Sequence, residues 1–116
     1  MNTFCVHLPY ADTSPEAVTD ILDRHAVRPI ACNIAIGRVE PNGQHRFFDY
    51  TESEDAREAI KHGRWYLELA SSLGVHKVTM STARRQFDEH EWLRHLRAAA
   101  RVFREHARIA ANLGMD

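Results

Sequence analysis

The sequence has little of several features that mark specialised classes of protein. Its 116 residues include only two cysteines, Cys5 and Cys32, too few for a disulfide framework or a thiolate zinc site. No stretch approaches the ~18 uncharged apolar residues of a membrane span, and the first nine residues lack the basic segment of a signal peptide. We therefore expect a cytoplasmic protein with no membrane partner.

Concentrated charge of one sign is also missing. Fifteen Lys and Arg residues stand against sixteen Asp and Glu residues, giving a formal net charge of -1, and no like-charged run exceeds a few residues. Nucleic-acid binding needs a concentrated basic surface, so we expect no nucleic-acid partner. The chain has no Gly-rich phosphate loop, GxSxG or CxxC motif, which leaves nucleotide binding, serine hydrolysis and thiol redox chemistry without support.

Eight histidines could indicate a metal site, but their spacing does not. There is no HExxH motif, and five of the histidines lie mostly on predicted helices, where we expect them at the surface: His62, His76, His90, His95 and His106. We therefore predict no metal site and no cofactor in this chain.

The first half of the chain predicts two strands with a helix between them. Thr3 to Leu8 is a short apolar run typical of a strand, and Ser14-Pro15-Glu16 then predicts a helix start, with an N-cap, a proline at the first helical position and an acidic first turn. Ile30 to Ile36 is a nearly continuous apolar run, which predicts a parallel strand buried on both faces. Arg38 to Tyr50, with the turn signal Pro41-Asn42-Gly43, is predicted to be a long loop.

The second half predicts helix, strand and helix. Thr51-Glu52-Ser53-Glu54 fits a capping box, and one apolar face then runs to Gly74, the C-terminal stop. Val75 to Met80 predicts a third strand, followed by a polar loop from Ser81 to Asp88. The last helix is predicted to bury the face formed by Leu93, Leu96, Ala100, Phe103, Ala107, Ala110 and Leu113.

The resulting order βαβαβα predicts an α/β fold with a parallel sheet and right-handed crossovers. Two architectures have this order, a small doubly wound sheet and part of a (β/α)₈ TIM barrel. A complete barrel needs about 250 residues, so three consecutive βα units are less than half of one. We treat residues 1–116 as a single partial TIM-barrel domain with the strands adjacent in chain order and all helices on one face.

Residues 25–116 resemble the xylose isomerase-like TIM-barrel superfamily of sugar and sugar-phosphate isomerases and epimerases. The resemblance is carried by Arg28-Pro29-Ile30-Ala31-Cys32-Asn33, by the helix from Ala56 to Gly74 with its ending Leu73-Gly74-Val75, and by the strand His76 to Met80. The helix from Glu91 to Gly114 is similar to one that leads, in the family, into a strand with a metal-binding glutamate.

The resemblance implies proton transfer next to a carbonyl group, assisted by a divalent cation such as Mn²⁺ or Mg²⁺ in complete family members. The usual ligands come from later strands, so it implies a fragment or truncated member that is inactive alone. Ser81-Thr82-Ala83 stands where some members, including the endonuclease-like ones, have a histidine, and this argues against a nuclease.

Ligands of parallel βα folds bind at the carboxyl ends of the strands, and that location selects six candidate residues for binding a sugar or sugar phosphate. His7 could orient a sugar hydroxyl or transfer a proton, or be held by an ordinary hydrogen bond. Asn33, an amide inside an apolar run, needs a hydrogen-bond partner from the backbone or from a ligand. The loop residues Ser81, Thr82, Arg84 and Arg85 could hold a phosphate or form an ordinary solvated loop.

A second hypothesis is a non-catalytic interaction module whose exposed first and third strands pair with another chain, and a third is a small anion-binding domain that uses Arg84 and Arg85. An open sheet exposes unpaired strand edges, so we predict a homo-oligomer or association with a complementing barrel half.

Overall fold

A computed structural model describes residues 2–7, 14–35, 37–81 and 89–115. Strands β1, β2 and β5 form a parallel sheet in that order, and β3 and β4 form a separate antiparallel pair. The predicted α/β class and the adjacent order of the three parallel strands are confirmed. The elements are, in chain order, β1 (Asn2–His7), α1 (Pro15–Arg24), β2 (Val27–Ala35), β3 (Gly37–Val39), β4 (His45–Phe47), α2 (Ser53–Ser72), β5 (Val78–Ser81) and α3 (Glu89–Asn112).

Helix α1 starts as the sequence predicts. Ser14 is the N-cap, its hydroxyl oxygen accepts the Ala17 backbone N–H at 3.1 Å, and Pro15 occupies the first helical position. The helix leads into β2 through Ala26, whose φ of 51° lies in the left-handed region that an L-residue rarely adopts. No residue of α1 is buried, so this helix contributes little to the core.

Strand β2 is buried on one face only, which corrects the prediction that both faces are covered. Cys32 and Ile34 are 0% exposed, whereas Ala31 and Asn33 on the other face are only half-buried. Ile30 is 57% exposed for a separate reason, since Phe4 of β1 pairs with Pro29 but Cys5 pairs with Ala31, which leaves Ile30 as the extra residue. Such a bulge removes one side chain from the alternating pattern of the sheet.

The segment predicted to be a long loop contains a hairpin. Strands β3 and β4 pair from Gly37–Phe47 to Val39–His45, and Gly43, with φ of 82°, forms part of the turn between them. The turn signal was read correctly, but the strands have only three residues each, too few for an alternating pattern to be recognised.

The start of α2 corrects the predicted capping box. The N-cap is Glu52 rather than Thr51, and its side chain makes no capping hydrogen bond. Thr51 instead donates its hydroxyl and its backbone N–H to Asp49 Oδ1, at 2.6 and 3.0 Å. Asp55, in the first turn of α2, accepts the Asp49 backbone N–H at 2.9 Å and the Arg46 guanidinium at 2.8 Å. The Asp55 carboxylate thus connects the hairpin and the segment after it to α2.

Helices α2 and α3 form the core with the covered face of β2. The predicted apolar face of α2 is confirmed, since Ala59, Tyr66, Leu67 and Ala70 are all buried. The predicted face of α3 is partly wrong, because Leu93 and Leu96 are exposed. The buried residues of α3 are Ala98, Val102, His106 and Ile109. The buried face of α3 is therefore rotated about the helix axis from the face on which Leu93 and Leu96 lie.

One histidine is central to the contact between these helices, against the prediction of a surface position. His106 is 2% exposed, and its Nε2–H donates to the carbonyl oxygen of Ala59 at 3.0 Å. A Cβ at Gly63 would collide with the imidazole ring, so only glycine allows this approach. Burial lowers the pKa of His106, against the opposing effects of the Ala59 hydrogen bond and the charge of Glu105.

Candidate functional site

Register places two of the predicted site residues in one row across the parallel sheet. His7, the last residue of β1, pairs with Asn33 of β2, and Asn33 pairs with Thr79 of β5. Paired residues of parallel strands lie side by side, so the row crosses all three strands near their carboxyl ends. The structure thus brings the positions of His7 and Asn33 together, as predicted.

A hydrogen bond between side chains crosses this row. The Thr79 hydroxyl donates to Asn33 Oδ1 at 3.0 Å, over a sequence separation of 46 residues. Thr79 is exposed and Asn33 is half-buried, in contrast to the fully buried Cys32 and Ile34 on the other face of β2. The Asn33 side chain is therefore hydrogen-bonded to the next strand and lies on the more accessible face of β2.

The four remaining predicted residues lie at or beyond the end of β5. Ser81 is the last residue of that strand and pairs with Ala35 of β2, two positions beyond the row of His7 and Asn33. It therefore belongs to the same carboxyl edge. Thr82, Arg84 and Arg85 lie outside the described residues.

Thr79 is the residue of this row that the sequence reasoning missed. It falls inside the predicted third strand, where the apolar neighbours Val78 and Met80 drew attention to burial. The alternation of side chains along a strand could have identified it. Thr79 lies between two apolar residues, so its hydroxyl lies on the opposite face of the sheet from Val78 and Met80.

A second group of polar side chains surrounds the segment after β4. Asp49 Oδ1, which accepts two hydrogen bonds from Thr51, also lies 3.8 Å from His95 Nδ1 of α3, an ion pair only when the imidazole is protonated. Arg46 contacts both Asp55 and Glu40, at 2.8 and 3.2 Å. Asp55 and Asp49 connect the hairpin and the segment after it to α2 and α3, and Glu40 contacts Arg46 within the hairpin, so these contacts have a structural role.

The metal that the family resemblance implies has no ligand set in the described part of the chain. Across residues 2–7, 14–35, 37–81 and 89–115, no three His, Cys, Asp or Glu side chains converge to hold an ion. We therefore derive no chemical step through a metal. Similarly, none of the described helices combines the length and apolar character needed to cross a bilayer.

Comparison with known proteins does not assign the chain to a family. Neither a protein-family model nor a curated protein sequence matches the chain.

Proposed function

We propose that the chain is one wall of a TIM-barrel-like protein of the sugar or sugar-phosphate isomerase and epimerase type, and that it works only when further βα units complete its sheet. The observation that carries the proposal is the difference between the two faces of the parallel sheet. Helices cover Cys32 and Ile34, whereas Asn33 and Thr79 form a polar, accessible pair on the other side. A barrel wall has this design, with helices outside and site residues facing inward near the carboxyl ends.

In this proposal the carboxyl edge supplies the substrate contacts. The Asn33 amide is fixed by Thr79 and can hydrogen-bond a sugar hydroxyl, and His7, in the same row, supplies an imidazole for orienting a hydroxyl or moving a proton. Ser81 and the loop residues Thr82, Arg84 and Arg85 would bind the phosphate of a phosphorylated sugar. The divalent cation for enediolate stabilisation would need ligands from units outside these residues.

The strand edges support the need for a partner. Within the described residues, β1 and β5 each pair with β2 alone, so each has one edge without a neighbouring strand. Unpaired edges and an uncovered sheet face favour association with another strand or another chain. We propose a second copy of this chain or a complementing barrel half as that partner, in the cytoplasm.

Sedimentation velocity over a micromolar concentration range tests the assembly. We expect concentration-dependent association, and we expect Thr79→Lys to shift the protein to the monomer because it places a charge on the open face. Ala111→Lys, at an exposed position of α3, is the matched control and should associate like the parent chain. A folded monomer at every concentration, or equal behaviour of the two variants, would contradict the proposal.

Calorimetric titration with Mn²⁺, Co²⁺ and Mg²⁺ tests the catalytic part. We expect no tight binding and no isomerase activity in the purified chain. Micromolar binding that is lost when His7 is replaced by alanine would show that the chain has its own metal site.

The alternative is a non-catalytic module that associates through the same edges. The exposed strand edges are expected for an interaction module as well as for a barrel wall. Binding of a sugar phosphate distinguishes the two functions, because only the isomerase-type site requires it. If the assembled protein binds a ketose phosphate and Asn33→Ala removes that binding, the isomerase-type site is supported. Association without any such binding would favour the interaction module.

A further inference from the structure

A cleft lies away from the sheet, between the first half of α2 and the middle of α3. The cleft has a volume of about 600 Å³. Its walls include the apolar residues Tyr50, Ala56, Ile60 and Val102, which gives room for an organic group as well as a charged one.

Three arginines line this cleft without a carboxylate partner. Arg57 belongs to α2, and Arg101 and Arg104 belong to α3. Within the described residues, none of the three lies within ion-pair distance of an acidic side chain. The lining has one acidic residue, Glu105, and that carboxylate contacts Arg108 at 2.7 Å. The balance of charge around the cleft is therefore positive.

Tyr50 contributes an almost fully buried aromatic ring to the apolar wall of the cleft, and the residue is 7% exposed. Burial raises the pKa of Tyr50 to about 12.

We propose that this cleft binds a small organic phosphate, with the phosphate held by Arg57, Arg101 and Arg104 and the organic group against the apolar wall beside Tyr50. Guanidinium groups bind phosphate through paired N–H donors. Three positive side chains match the double negative charge of a phosphate dianion better than they match the single charge of a carboxylate ligand. The site is independent of the proposed sugar site, because it lies between two helices and shares no residue with the carboxyl edge of the sheet.

Titration with phenyl phosphate, followed by calorimetry and by amide chemical shifts, tests the site, and inorganic phosphate serves as the second probe. We expect saturable binding of phenyl phosphate and weaker binding of inorganic phosphate, which lacks the group that contacts the apolar wall. Arg101→Gln should weaken phenyl phosphate binding roughly tenfold or more, the effect of losing a charge-assisted hydrogen bond.

Arg94→Gln is the matched control, since it removes the same charge from the same helix outside the cleft. Affinity should be nearly unchanged in this variant, and Arg101→Lys should bind more weakly than the parent despite its positive charge.

Three results would overturn the proposal. These are no saturation by millimolar phenyl phosphate, equal weakening in Arg94→Gln and Arg101→Gln, and equal affinity of the two probes. Thermal unfolding of each variant shows whether it is folded, and because the arginines are exposed we expect all of them to fold.

Discussion

The two faces of β2 have opposite environments although their residues alternate along one short strand. Cys32 and Ile34 are completely buried under helices, while Asn33 between them is half-buried and hydrogen-bonded to an exposed Thr79. The covered face contributes stability through apolar burial, and the open face presents polar groups at an accessible surface. The two faces of the sheet therefore differ in how much their side chains contribute to folding stability.

The largest effect is expected on the covered face. Ile34→Ala should lower the free energy of unfolding by about 2–5 kcal/mol, because it removes buried methyl groups and leaves a cavity in a packed core. Urea unfolding measures the change. A loss below about 1 kcal/mol would mean that the face is not covered in solution as the structure shows.

A somewhat smaller loss is expected between α2 and α3. Helix propensity alone favours alanine over Gly63 by about 1 kcal/mol, but the added Cβ collides with the buried His106 ring. We expect Gly63→Ala to destabilise the protein by about 1–3 kcal/mol, the usual range for overpacking.

His106→Ala in the Gly63→Ala background is the control for this contact. The double variant should lose less stability than the sum of the two single losses, because removing the imidazole makes room for the new methyl group. Additive losses would show that the collision is relieved in another way.

A pH-dependent effect is expected at the same contact. Burial lowers the pKa of His106, so the unfolded chain binds a proton more readily than the folded protein. The contribution of this group to stability is therefore complete above about pH 6.5 and is lost as the pH falls toward and through the lowered value. His106→Gln, which does not titrate, should lose less stability than the parent between about pH 7.5 and about pH 5 in urea unfolding. Equal losses would assign the acid sensitivity to other groups.

The smallest effect is expected on the open face. Thr79→Ala removes an exposed hydrogen bond to Asn33 and should change the free energy of unfolding by about 1 kcal/mol or less. Measuring Ile34→Ala in the same urea series gives the ratio between the losses in free energy of unfolding on the two faces. Equal losses for the two variants would show that the open face is covered in solution.

The sequence predicted the parts of the fold that follow from local rules. Ser14 caps α1 as its residue type and the following Pro15 indicated, and the apolar period of α2 identified its buried face. The row of His7 and Asn33 followed from parallel strands ending at one edge. Each of these features depends on residues close in sequence or on a general rule of βα folds.

The features that were missed depend on contacts between distant residues. Ile30 is exposed because of a bulge set by pairing with β1, which its apolar neighbours could not reveal. Leu93 and Leu96 are exposed while His106 is buried, because α3 packs against α2 where the missing side chain of Gly63 leaves room for the imidazole ring. A histidine on a helix has no local signal for burial when its partner is a glycine 43 positions earlier.

The contact between Gly63 and His106 also constrains the order in which the sequence can change over generations. A larger residue at 63 is unfavourable while the imidazole remains, whereas a smaller residue at 106 opens space without a collision. A path that changes 106 first therefore avoids the collision, whereas one that changes 63 first passes through a variant destabilised by about 1–3 kcal/mol. The residues tolerated at position 63 thus depend on the residue at 106, so in descendants of this chain we expect the two positions to change together.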